Sequence, residues 1–89
     1  MVNEQSCPGK FCIGDVVRVY NTGGLGLRLR QCARTSDAIC SVIVVMPEGT
    51  QMTVFSGPVQ ADGYTWWALN GYVNGVYRAG WAVENYLTK

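Results

Sequence analysis

The sequence predicts an all-β fold, a small barrel of five to seven short antiparallel strands. Three observations point there. Short runs rich in β-branched and aromatic residues recur with turn signals about every eight to twelve residues. No stretch shows the i, i+3, i+4 apolar spacing of an amphipathic helix. The segment Gly63 to Val83, GYTWWALNGYVNGVYRAGWAV, holds all three tryptophans and reads as one long hairpin.

Residues 1–14, MVNEQSCPGKFCIG, contain Pro8, Gly9 and Gly14 and follow no period. They are expected to form an irregular N-terminal extension anchored by Cys7 and Cys12, with the barrel occupying residues 15–89. Asp15 to Tyr20, DVVRVY, is the first strand, and Asn21-Thr22-Gly23-Gly24 breaks it. GLRLRQ, residues 26–31, alternates strictly: Leu25, Leu27 and Leu29 are expected to face the core, and Arg28 and Arg30 the water. CARTSDAICS, residues 32–41, is small and polar and fits an excursion loop. Val42 to Met46, VIVVM, is continuously apolar, as a strand buried on both faces would be. Pro47 to Thr50 is a turn; Gln51 to Phe55 is the next strand, expected to stop at Ser56-Gly57-Pro58. Ala61-Asp62-Gly63 turns the chain into the aromatic hairpin. Glu84 to Thr88 predicts a 3₁₀ turn followed by a short strand, with Tyr86 and Leu87 closing the barrel.

In the hairpin, Asn74-Gly75 is the strongest turn signal, because a type I′ turn needs positive φ at both central residues. Asn70-Gly71 is a second candidate that would leave shorter, less balanced arms. Counting outward from Asn74-Gly75 pairs Val73 with Val76, Tyr72 with Tyr77, Ala68 with Trp81 and Trp67 with Ala82. Alternation then places Trp66, Ala68, Tyr72, Tyr77, Trp81 and Val83 on one face. Trp67, Leu69, Val73, Val76, Gly80 and Ala82 take the other. Both faces are apolar, so one is the core and the other is covered by a loop or used for binding. Trp67 and Trp81 are expected to be core rings.

The 89 residues make one domain. No apolar run approaches the roughly 20 residues that span a bilayer. MVNEQSCPGK lacks the basic start and apolar run of a signal peptide, so an exported chain would begin after any signal. Seven basic and six acidic residues give a formal charge of +1, short of the electrostatic footprint of a nucleic-acid binder. Four cysteines in so short and weakly charged a chain suggest disulfides and an oxidising compartment, secreted or at the cell surface. Zinc is disfavoured: Cys7 and Cys12 enclose four residues, but Cys32 and Cys40 enclose seven. A Cys32–Cys40 bridge would close the polar loop at its neck, contributing about 2–3 kcal/mol. A crossed pairing with Cys7 and Cys12 would add only about 1 kcal/mol more, so energetics leave the connectivity open.

The absence of histidine excludes Ser-His and Cys-His nucleophile pairs. Asp15, Asp37, Glu48 and Asp62 each sit beside Gly, Pro or Ser, where turn residues are expected. The cysteines form no Cys-x-x-Cys redox pair. A non-catalytic chain without metal or cofactor is therefore expected. Tyr64, Trp66, Tyr72 and Tyr77 would offer flat apolar surface with polar rims, suited to sugar rings and short peptides. Arg78 beside them would pair with a ligand carboxylate or stack on Tyr77.

The succession GLRLR, a polar loop, VIVVMPEGTQMTVFSGP, ADGYTWWALN and AGWAVENYL resembles the bacterial SH3-like (SH3b) domain. Its characteristic positions fall on Leu27 to Arg30, Gly49-Thr50, Trp66 to Leu69, Gly80-Trp81-Ala82 and Tyr86-Leu87, and the match covers roughly residues 15–89. The arm between Leu69 and Gly80 is longer than is usual in that family, and the four cysteines are not typical of it. The resemblance implies an extracellular module that binds cell-wall peptidoglycan, glycan or peptide, and in many members delivers an attached catalytic domain to the wall. The family has no fixed ligand signature, so it assigns no ligand residues here. A second expectation comes from composition: 48% hydrophobic against 15% charged residues suits a structural subunit that binds copies of itself. In that case Cys7, Cys12 or residues 1–14 would reach a neighbouring copy.

Overall fold

The computed structural model describes residues 7–89. Seven strands follow one another: β1 (Val16–Val19), β2 (Leu27–Arg30), β3 (Val42–Met46), β4 (Gln51–Ala61), β5 (Tyr64–Val73), β6 (Val76–Val83) and β7 (Leu87–Thr88). A 3₁₀ turn, Glu84–Tyr86, separates β6 from β7. All pairings are antiparallel, and the strands form one sheet in the order β3-β2-β6-β5-β4-β1-β7. The chain is therefore all-β, as its punctuation by turns predicts.

The β5–β6 hairpin is the centre of the sheet. Its turn is Asn74-Gly75, with φ of 50° and 82°, the left-handed pair that Asn-Gly tolerates best. The register is the one counted from that turn: Val73↔Val76, Tyr72↔Tyr77, Ala68↔Trp81 and Trp67↔Ala82. Asp62 and Gly63, at φ 55° and 77°, make the same kind of turn between β4 and β5.

The inner face of the sheet carries the core. Trp67, Leu69, Val73 and Ala82 join Val17, Val19, Leu29, Met46, Met52, Val54 and Leu87 in one buried cluster. Burying these apolar side chains is the main term holding so short a chain together. Trp67 is fully buried, and its indole N–H donates to Glu84 Oε1 at 2.9 Å, which satisfies its polar atom.

Several sequence expectations are corrected. Trp81 is not a core ring: it lies on the outer face, opposite Ala68 and Arg30, and is half-buried. Leu25 does not join the leucine stripe; it precedes β2 and is 83% exposed. Arg30, expected in water, is buried. β3 is not covered on both faces but lies at the sheet edge, where Ile43 and Val44 are half-buried and Val45 is exposed. β4 does not stop at Ser56-Gly57-Pro58. It runs through to Ala61 with two shifts of register against β5. Gly57 makes that possible: at φ 113° a Cβ there would lie 3.0 Å from the Trp66 carbonyl oxygen and 3.1 Å from the Trp67 ring.

Residues 7–14 form no strand, but they do not stand apart from the core. Phe11 is 1% exposed and meets the Trp67 ring edge-on, with centroids 5.4 Å apart. Ile13 packs against the same cluster. The segment is pinned where it enters β1: Gly14 N–H donates to the Val54 carbonyl, and Val54 N–H to the Asp15 carbonyl, both at 2.8 Å. Cys7 pairs with Cys12 and Cys32 with Cys40, the local connectivity among those left open. Residues 1–6 lie outside the described residues.

Candidate functional site

The outer face divides into two parts. At the base of the hairpin, Trp66 and Ala68 are buried although they point away from the core; at the tip, Tyr72 and Tyr77 are exposed. The loop between β2 and β3 explains the difference. Thr35 donates its backbone N–H (2.8 Å) and its hydroxyl (3.1 Å) to Asp62 Oδ2, which ties this loop to the β4–β5 turn beside Trp66. Beneath the loop, Arg30 Nη1 donates to the Cys40 carbonyl at 3.1 Å and to Asp37 at 2.6 Å. Cys40 is fully buried, so the Cys32–Cys40 bridge closes the loop against the domain.

Between this loop, the β1–β2 connection and the start of β5 lies a groove of about 230 Å³. Tyr64, Trp66 and Tyr86 supply its rings, and Leu25 and Val83 add apolar surface. Arg28, Arg30, Thr22 and Thr35 supply the polar groups. The rings are held in place. Trp66 donates its indole N–H to the Ala61 carbonyl at 2.9 Å, and Tyr64 stands edge-on to it with centroids 6.4 Å apart. Tyr64 and Tyr86 are each about two-fifths exposed, so their faces remain available to a ligand.

The opposite rim, at Thr22, is held in place by Glu48, which lies outside the lining. Its carboxylate accepts the backbone N–H of Asn21 (2.7 Å), the N–H of Thr22 (3.0 Å) and the Thr22 hydroxyl, whose oxygen in turn accepts Gly26 N–H at 3.0 Å. The Thr22 hydroxyl, then its N–H, hold the Glu48 carboxyl below its ordinary value. No Asp or Glu lines the groove, while Arg28 and Arg30 both do. Arg30 is committed to the loop. Arg28 is exposed, and its guanidinium makes no side-chain hydrogen bond or close ion pair among the described residues, although its charge is felt by Asp37 of the loop. The arrangement suits a flat ring stacked on tyrosine and a carboxylate facing the exposed Arg28 guanidinium.

Of the residues singled out in the sequence, Tyr64 and Trp66 meet in this groove; Trp66, at 1% exposure, forms its floor and offers only an edge. Tyr72, Tyr77 and Arg78 lie at the far end of the hairpin. Tyr72 and Tyr77 pair edge-on at 5.7 Å. Arg78 does not stack on Tyr77. Neighbours on a strand point to opposite faces, and Arg78 stands across from Gly71 with its Nε buried and unpartnered among the described residues. Arg28, Tyr86, Leu25 and Thr22 also line the groove, although the sequence does not single them out as site residues. The alternation of GLRLRQ shows that Arg28 leaves the core, but only the placement of the β1–β2 connection turns its surroundings into a groove.

The acids at turns are all occupied. Asp15 accepts Cys12 N–H at 2.8 Å and pairs with Lys89 at 3.2 Å. The Cys12 N–H is the main reason its carboxyl sits below its ordinary value. The Arg30 hydrogen bond does the same for Asp37, and Thr35 N–H for Asp62. No group of three or more His, Cys, Asp or Glu among the described residues can hold a metal ion. No helix among them is long and apolar enough to cross a membrane. Comparison of the chain with protein-family models, curated proteins and solved structures returns no match.

Proposed function

We propose that this chain is an exported, non-catalytic recognition module of the bacterial SH3-like class, and that its groove binds cell-wall peptidoglycan or a related surface polymer. The observation that carries this reading is the groove's lining: stackable Tyr64 and Tyr86 around Trp66, and an exposed Arg28 guanidinium with no side-chain hydrogen bond among the described residues, with no Asp or Glu in the lining itself. Wall polymers combine pyranose rings with peptide carboxylates, and both halves of that chemistry find a partner here. The two disulfides support an oxidising compartment. The occupied turn acids and the absence of histidine support a binding role without catalysis. The alternative of a self-assembling subunit has less support, because both described bridges close within the chain and Phe11 packs into its own core.

The test is co-sedimentation with purified, protein-free peptidoglycan. The wild-type chain should leave the supernatant, and Tyr64→Ala or Arg28→Ala should weaken retention about tenfold or more at unchanged folding. A wild-type chain that stays in the supernatant at every polymer concentration sinks the proposal.

A further inference from the structure

We propose that the outer face carries a second subsite, for a neutral saccharide, in the cleft between β1, β4 and β5 at the hairpin tip. The inference extends the groove reading to a polymer lying along β5.

The cleft has a volume of about 550 Å³. Its platform is Tyr72, 68% exposed, whose ring is held by the edge-on contact with Tyr77 at 71° between planes. Beside it lie the side chains of Gln51, Thr53 and Asn70. None of these three makes a side-chain hydrogen bond among the described residues. The register brings them together: Thr53 pairs with Val16 on one side and with Asn70 on the other, so the three share the outer face.

The chemistry differs from that of the groove. No charged side chain lines the cleft. Two amides and a hydroxyl present both donors and acceptors, which suit the hydroxyls and acetamido groups of a neutral sugar better than an anion. Tyr72 and the exposed Val16 offer apolar surface for the C–H face of a pyranose. Trp66 and Tyr72, six residues apart on β5, point to the same side. Their separation along the strand is about 20 Å, so one glycan strand can reach both sites and gain from simultaneous engagement.

The experiment is a ¹⁵N-resolved NMR titration of the oxidised chain, first with N-acetylglucosamine oligomers and then with a carboxylate-bearing muropeptide. The oligomers should shift the side-chain amide signals of Gln51 and Asn70 and the backbone signal of Gly71, saturably. Tyr72→Ala should weaken that binding about tenfold. The muropeptide's shifts at Tyr64 and Arg28 should persist in that variant. Gln51→Ala combined with Asn70→Ala, both surface changes, should give a similar loss with the ring still present. Oligomers that leave the tip signals unmoved, or bind both variants as tightly as wild type, overturn the subsite. Muropeptide shifts at the groove would then leave the groove reading standing, whereas tip shifts with a silent groove would support the subsite and remove that reading.

Discussion

Replacing Phe11 by alanine tests whether the N-terminal segment is an appendage or part of the core. The ring is 1% exposed, meets Trp67 edge-on, and has Lys10 Nζ 5.3 Å from its centroid. A buried aromatic side chain removes about 150–250 Å² from water, which at about 25 cal/mol per Å² is about 4–6 kcal/mol as an upper bound. A realistic unfolded chain lowers that figure, and the cavity left against Trp67 raises it, so about 3–5 kcal/mol is expected. For a domain of this size such a loss lowers the melting temperature by on the order of 15–25 °C. The assay is urea unfolding of the oxidised protein, followed by far-ultraviolet circular dichroism, with Lys10→Ala as control. Phe11→Ala should move the midpoint sharply at an unchanged slope, and Lys10→Ala should change stability by less than about 0.5 kcal/mol. A loss under about 1 kcal/mol for Phe11→Ala would show that the ring is not in the core and that the domain begins at Asp15.

The same assay separates the two hairpin faces: Trp67→Ala should cost about 3–5 kcal/mol, and the half-buried Trp81→Ala only about 1–2 kcal/mol. Equal losses would mean that the outer face is a second core rather than a binding surface. Acid should also weaken the fold. Asp15, Asp37, Glu48 and Asp62 all titrate below their ordinary values when folded, so the unfolded chain binds more protons in acid. Their contribution is complete above about pH 5 and disappears as the pH falls through and below about 4. An unfolding midpoint that stays flat from pH 7 to about pH 3 would contradict the carboxylate ties described above.

The strand succession is legible along the chain, because turn chemistry and alternation are local. Asn74-Gly75 leaves longer, better balanced arms than Asn70-Gly71, which lies inside β5, and once the turn is placed there, the whole register from Val73↔Val76 to Trp66↔Val83 follows by counting. What covers each face depends on contacts between distant parts of the chain. Alternation shows that Trp66 and Trp67 point oppositely, but not that Phe11 closes over one while the disulfide-closed loop approaches the other. Those contacts join residues far apart in the chain: Thr35 with Asp62, Glu48 with Asn21 and Thr22, Phe11 with Trp67. Sequence spacing holds no record of such pairs. For the same reason Leu25 and Arg30, assigned by alternation to core and water, exchanged environments: Leu25 lies just before β2 begins, and Arg30 passes under a loop that supplies the Cys40 carbonyl and Asp37. The groove is the product of those long-range contacts, and residues as plain in the sequence as Arg28 and Tyr86 become site residues only once the fold brings them together.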